Sequence, residues 1–179
     1  MQFRKYIAVC LFSLSLTGTL SAASDLSNRR APGFALPDSS LRYHDLYKYR
    51  GKVVILNVMQ TKCPHCKYFS KNLKRIADKY GVRIQVINIV NPPDSQQSVR
   101  EYMASMGSYA SKQLFLFDCG QVTASYLKIT PENPGFDTPY FFVIDQMGWI
   151  QDDYSYNVLN DSIFRGEGLD EIINRYLPN

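Results

Sequence analysis

The sequence predicts an α/β domain in which a mixed sheet is flanked by helices, and two observations carry this prediction. Short apolar runs alternate with segments whose apolar residues recur every three or four positions, in the order β-α-β-α-β-α-β-β-α. This alternation favours parallel strands covered by helices, whereas two consecutive strands near the end favour an antiparallel edge. The length of 179 residues suits one domain with a sizeable core.

Residues 1–23 predict a signal peptide that is removed on export. Basic residues precede a short apolar segment, and small residues at 21–23 fit a cleavage site directly after them. The polar stretch 24–31 predicts a flexible lead-in, so that the folded domain would occupy 32–177. These features predict an exported, periplasmic protein, with an uncleaved membrane anchor as the alternative.

The first half of the domain opens with two short extended pieces, 34–38 and 41–46, which predict a hairpin or an edge extension. The apolar run Val53–Met59 predicts a strand that is buried on both faces. A helix is predicted over 67–80, because its apolar residues share one face and its lysines and arginines lie opposite. A glycine ends this helix, and alternating apolar residues predict a second strand over 82–89.

The second half of the domain continues the same alternation. Pro92 and Pro93 end the second strand, and the helix after them carries Val99, Tyr102, Met103 and Met106 on one face. The remaining predicted elements are a strand at 114–117, a short helix at 122–127, strands at 140–144 and 149–154, and a last helix at 169–176.

Two cysteines, Cys63 and Cys66, lie where the first apolar strand gives way to its helix. The first amides of a helix have no internal partner and the helix dipole favours negative charge there, so a thiolate is stabilised. We interpret the pair as redox-active. A structural disulfide or half of a zinc site are the alternatives, but zinc would need two further ligands. The chain offers His44 and Cys119, in positions that form no ligand pattern.

The residues beside the pair also favour a thiolate. His65 can hold a positive charge or donate a hydrogen bond, and Lys62 places a cation next to Cys63. For both side chains, simple solvation is the alternative. Cys119 ends a predicted strand and is interpreted as a small buried hydrophobic residue, with a third redox thiol or an intermolecular thiol as alternatives.

Four stretches of the chain carry patterns that occur together in one group of proteins. They are 31–38, 51–58, the Cys-Pro-His-Cys segment 63–66, and 138–145. Together they resemble the exported TlpA/ResA-like thiol–disulfide oxidoreductases of the AhpC/TSA and redoxin superfamily. This resemblance implies a thioredoxin fold with an N-terminal β extension and an inserted helix–strand unit at 91–117.

The resemblance also implies roles for particular residues. Cys63 would attack a protein disulfide and Cys66 would resolve the mixed disulfide, with Pro64 and His65 setting the chemistry of the pair. Pro139 would follow a cis peptide bond and, with Thr138, hold the substrate through backbone contacts. The Pro-His dipeptide is similar to that of the DsbA oxidants.

The expected partners are therefore proteins with cysteines, together with a membrane or soluble thiol–disulfide electron partner. No cofactor or metal is expected. The net charge of +4 gives no reason to expect nucleic acid. The chain departs from the group at Asn57 and Phe69, where thioredoxin or the ResA-like proteins carry an acid, which puts the direction of exchange in question.

Two other functions are compatible with this kind of chain. A peroxiredoxin-like peroxidase shares the fold, but that class needs Pro six residues and Thr or Ser three residues before its reactive cysteine. The chain has Asn57 and Gln60 there. A copper or haem carrier is the other alternative, although copper carriers of this fold space their cysteines CxxxC and add a distal histidine, which is not recognisable here.

Overall fold

A computed structural model describes residues 26–177 of the chain. Its strands are β1 (Arg29–Arg30), β2 (Ala35–Pro37), β3 (Tyr43–Asp45), β4 (Val53–Met59), β5 (Ile84–Val90), β6 (Gln113–Phe117), β7 (Tyr140–Ile144) and β8 (Trp149–Ser155). Its helices are α1 (Pro64–Tyr80), α2 (Gln96–Met106), α3 (Gln121–Leu127), α4 (Asp161–Phe164) and α5 (Leu169–Asn174). No helix within this part of the chain is both long and apolar enough to cross a membrane.

The described strands form a six-stranded sheet in the order β1-β8-β7-β4-β5-β6 and a separate hairpin of β2 and β3. Strands β4, β5 and β6 run parallel, whereas β7 and β8 are antiparallel to their neighbours. The predicted mixed α/β sheet is therefore confirmed. The separate hairpin of β2 and β3 is the expected N-terminal hairpin, and α2 with β6 forms the expected inserted unit.

Strand β4 is apolar along its whole length because it lies at the centre of the sheet with both faces covered. All seven of its residues are buried. On one face, Val53 and Ile55 pack against the α1 residues Phe69 and Leu73 and against α5. On the other face the core continues through Leu56 and Val58 toward α3. The carboxyl end of this rigid strand leads directly into the two cysteines.

At the start of α1 and directly after it, the element boundaries differ from the prediction. Helix α1 begins at Pro64 rather than 67, because a proline is suited to the first helical position, where its missing N–H has no helical partner. After α1 the chain makes a 3-10 turn, Gly81–Arg83, before β5 starts at Ile84. Val82 continues the apolar alternation of the strand in the sequence, but it lies in that turn and is 82% exposed.

The flexible lead-in predicted for 24–31 is wrong for its last residues. Arg29 and Arg30 form β1 and pair with β8, and Ala31 is buried. The Arg29 guanidinium holds this segment by donating to the carbonyl oxygens of Leu26, at 2.8 Å, and Tyr126. The predicted signal peptide at 1–23 and the start of the lead-in lie outside the described residues.

Helix α4 was missed because four residues are too short to show a helical period. Its Phe164 is nonetheless almost fully buried. The Phe164 ring lies 4.8 Å from that of Phe69 and 5.4 Å from that of Phe141, measured between centroids. Helix α4 therefore closes the core beside the first turns of α1, next to the cysteine pair.

Candidate active site

The two cysteines are joined by a disulfide at the start of α1, with their Cα atoms 5.2 Å apart. Cys63 is the N-cap of the helix, and its Sγ accepts a hydrogen bond of 3.1 Å from the amide of Cys66. Cys63 is half-buried, whereas Cys66 has no exposed surface and packs in the core. A partner can therefore reach Cys63 but not Cys66, and the helix amide is placed to stabilise charge on Cys63.

The Thr138–Pro139 segment faces the pair from the start of β7. The peptide bond between these residues is cis, as the family pattern predicts. The carbonyl oxygen of Thr138 lies 3.6 Å from the Sγ of Cys63. The Pro139 carbonyl accepts a hydrogen bond of 3.1 Å from the amide of Tyr156, which ties the segment to the end of β8.

His65 is exposed in the first turn of α1, but it is not surrounded by solvent alone. Its imidazole stacks on the ring of Tyr156, with centroids 4.2 Å apart and planes at 29°. Nothing in the local sequence pattern pointed to this contact, because the two residues are far apart in the chain. His65 is therefore held against the body of the protein at the edge of the site.

The loop before Cys63 is fixed by a carboxylate that the sequence did not single out. Asp94 accepts a hydrogen bond of 2.7 Å from the amide of Thr61 and a second one from its hydroxyl. The hydroxyl of Ser98 donates to the same carboxylate at 3.1 Å. The neighbouring Lys62 is exposed and lines a groove with Asp94 and Ser98.

Buried amide side chains lie in the central sheet next to the site, and one of them, Asn57, is at the position where thioredoxin has an acid. Asn57 has no exposed surface, and its amide donates to the Oδ1 of Asn88 at 2.8 Å. Asn88 in turn donates to the Oε1 of Gln113 at 3.1 Å. The Oδ1 of Asn57 has no hydrogen-bond partner among the described residues. Phe69, at the other departure from the family, is fully buried among aromatic rings.

The interpretation of Cys119 as a buried residue is wrong, because this thiol is exposed. The preceding Asp118 turns inward instead, where its carboxylate accepts from the amides of Val122 and Thr123 at the start of α3. That leaves Cys119 facing outward, in a groove next to Phe117 and Gln96. Among the described residues it is a free thiol.

His44, the other residue considered for zinc, is engaged in the N-terminal hairpin. Its ring nitrogens lie 3.0 Å from the hydroxyl of Tyr49 and 3.0 Å from the carboxylate of Asp38. Burial raises the pKa of Asp38, but hydrogen bonds from His44 and from the amides of Ser40 and Arg42 outweigh it and lower the pKa to about 2. Within 26–177, no three His, Cys, Asp or Glu residues form a group that could hold a metal ion.

The sheet topology, the Cys-X-X-Cys disulfide at the start of α1 and the cis proline opposite it define a class, the thioredoxin-like thiol–disulfide oxidoreductases. The chain belongs to the AhpC/TSA family, which it matches over residues 28–153. The predicted family and fold are thus confirmed.

Individual relatives agree with this class. The chain is 25% identical to the thioredoxin-like protein YneN of Bacillus subtilis over 124 residues, which is 69% of this chain and 68% of that protein. It is 40% identical to the thiol–disulfide oxidoreductase ResA of Geobacillus thermodenitrificans over 65 residues, 35% of this chain and 37% of that protein. A thioredoxin family thiol:disulfide interchange protein from Chlorobium tepidum shares the fold, with a TM-score of 0.67 and 17% identity, over 84% of this chain and 97% of that one.

Proposed function

We propose that the protein is exported to the periplasm and exchanges disulfides with the cysteines of other proteins through Cys63 and Cys66. One observation carries this proposal: the disulfide at the start of α1 has one reachable sulfur, on Cys63, and one buried sulfur, on Cys66. The relatives named as a thiol–disulfide oxidoreductase and an interchange protein support the same chemistry.

The exchange can be written with its electrons balanced. When the pair is oxidised, a substrate thiolate attacks the Sγ of Cys63, a mixed disulfide forms and Cys66 leaves as a thiolate. A second substrate thiolate then attacks the substrate sulfur of the mixed disulfide and releases Cys63 as a thiolate. Two electrons pass from the substrate to the pair, and the substrate gains a disulfide. The reverse sequence reduces a substrate, with Cys63 as the attacking thiolate and Cys66 as the resolving one.

The surrounding residues would assist in distinct ways. The amide of Cys66, 3.1 Å from the Sγ of Cys63, would stabilise negative charge on that sulfur. Thr138 and Pro139 would hold an extended substrate segment close to Cys63, since the Thr138 carbonyl lies 3.6 Å from its sulfur. Pro64 is the first residue of α1, which makes Cys63 the N-cap. His65 and Lys62 would add positive charge near that sulfur.

The direction that these residues favour is oxidation of the substrate. A stabilised thiolate on Cys63 stabilises the reduced pair, and a stabilised reduced form raises the reduction potential. Asn57 and Phe69 replace the acids that assist reductants of this fold. We therefore expect a potential above ~−270 mV, the value of thioredoxin. A membrane or soluble thiol–disulfide partner would then reoxidise the pair.

Disulfide exchange with a reduced model protein in a glutathione buffer tests the proposal. Cys63→Ser should abolish the exchange, while Cys119→Ser should leave most of it, since that thiol lies outside the pair. An equal loss in both variants would replace this scheme with one that uses three thiols. Rapid turnover of hydrogen peroxide without protein disulfide exchange would favour the peroxidase alternative.

A further inference from the structure

Tyr156 is the residue that connects the two halves of the site. Its ring stacks on the His65 imidazole, with the centroids 4.2 Å apart. Its backbone amide donates to the carbonyl of Pro139 at 3.1 Å, on the segment that faces Cys63. A displacement of Tyr156 would therefore change its contacts both with the helix that carries the cysteines and with the segment opposite them.

The Tyr156 side chain is itself fixed from two sides. Its hydroxyl donates to the carboxylate of Asp161 at 3.2 Å, and that carboxylate also accepts from Arg165. Its ring meets the buried ring of Phe164 edge-on, with centroids 5.3 Å apart. Phe164 belongs to the core, so the stacking surface offered to His65 is rigid.

Titratable groups near His65 come from the elements packed around it. Tyr68 on α1, and Asp161 and Arg165 around α4, line the same small cleft as His65, and Lys62 lies on the loop before the pair. The hydrogen bond from Arg165 lowers the pKa of Asp161, and the Tyr156 hydroxyl and the charge of His65 act in the same direction. The Asp161 carboxylate is thus ionised at neutral pH and attracts a charged imidazole.

We propose that Tyr156 is a positioning residue for disulfide exchange: by stacking on His65 it holds the imidazole where that ring stabilises the thiolate of Cys63. This inference rests on the proposed function of the pair. An exposed histidine without such a contact would rotate among its rotamers, and its effect on the sulfur would be averaged and screened by solvent. The stack keeps the imidazole in one orientation relative to the start of α1.

The measurement is the equilibrium of the pair with glutathione, followed together with the pH profile of Cys63 alkylation. Tyr156→Leu should shift the equilibrium about two- to tenfold toward the disulfide, the range expected for loss of one aromatic contact. The alkylation profile should move to higher pH. Tyr156→Phe keeps the stack and should retain most of the wild-type behaviour.

Tyr154→Leu is the matched control. Tyr154 lies on β8, two residues before Tyr156, and stacks on Phe141 with the ring centroids 4.8 Å apart, so this variant also removes a ring that packs against the same part of the core. It should lower stability without moving the glutathione equilibrium. A shift equal to that of Tyr156→Leu would show that the effect is only structural and would overturn the inference.

The His65→Val background provides the decisive comparison. If Tyr156 acts through His65, Tyr156→Leu should have no further effect on the equilibrium once His65 is replaced. Additive effects of the two substitutions would overturn the inference. If Tyr156→Leu does not fold, the wild-type protein still decides: NMR should show an upfield ring-current shift of the His65 ring protons, and its absence would refute the stack.

These outcomes separate this inference from the proposed function. Failure to exchange disulfides with proteins, together with an intact coupling of Tyr156 and His65 in glutathione, would refute the proposed function alone. Normal exchange with proteins, but without any coupling between the two residues, would refute the positioning role alone.

Discussion

Asn57→Asp places an acid at a position that is sealed from solvent behind the active site. Asn57 has no exposed surface, and its amide donates to the Oδ1 of Asn88 at 2.8 Å. A protonated carboxyl can still donate to that oxygen, but an ionised one cannot and would face it with like partial charge. Burial and the lost hydrogen bond therefore both raise the pKa of the introduced carboxyl.

The magnitude follows from the size of that pKa shift. A fully buried carboxyl is raised by roughly 3 units, and each unit corresponds to ~1.36 kcal/mol, so the cost approaches ~4 kcal/mol at neutral pH. Because the folded-state pKa is raised, the cost is absent below the unfolded pKa of ~3.9 and grows as the pH rises toward ~7. The stability of the variant should thus fall steadily across this window relative to wild type.

Urea unfolding of the oxidised protein from pH 4 to pH 8 measures this difference. Asn57→Leu is the control, since it removes the same hydrogen bond but adds no titratable group. Its cost should be independent of pH. If the unfolding free energy of Asn57→Asp changes with pH in the same way as that of wild type, water reaches this position and the reasoning is refuted.

Three further predictions concern other parts of the molecule. In the reduced protein, Cys63 should be alkylated much faster than Cys66, which is buried, and than Cys119, which is exposed but whose sulfur receives no helix amide from the described residues; equal rates would contradict this. The low pKa of Asp38, about 2, means that wild type should lose about 2 kcal/mol between pH 4 and pH 2, as this carboxylate is protonated. The variant Asp38→Asn should not show this loss of stability between pH 4 and pH 2 in acid unfolding. An acid unfolding profile equal to that of wild type would contradict the prediction. Phe164→Ala should lower the unfolding free energy by about 3–5 kcal/mol, and a loss below ~1 kcal/mol would show that α4 does not close the core.

The parts of the fold that could be predicted are those whose signals are local. The run Val53–Met59 has the bounds that its apolar composition indicates, because a strand buried on both faces leaves no polar positions. Cys63 and Cys66 could be placed at a helix start because the strand before them and the period after them both lie in the adjoining sequence. The cis bond before Pro139 was predicted from the family pattern and not from the chain's own periodicity.

The features that could not be predicted depend on contacts between distant residues. Tyr156 reaches His65, and Asp94 reaches Thr61, only after the sheet has brought the loops together. Strand β1 is two residues long, and its pairing with β8 leaves no pattern in a polar segment. Cys119 was misplaced because either it or Asp118 could turn inward, and the amides of α3 favour the carboxylate.

The central claim is that Cys63 is the sulfur that forms mixed disulfides with protein cysteines and that Cys66 resolves them. Trapping with Cys66→Ala in the proposed compartment, the periplasm, tests it most directly, with the double variant Cys63→Ser/Cys66→Ala as the control. Mass spectrometry should find partner peptides linked through a disulfide to Cys63, released by reductant and absent from the control. No adducts with Cys66→Ala, or adducts linked through Cys119, would contradict the claim.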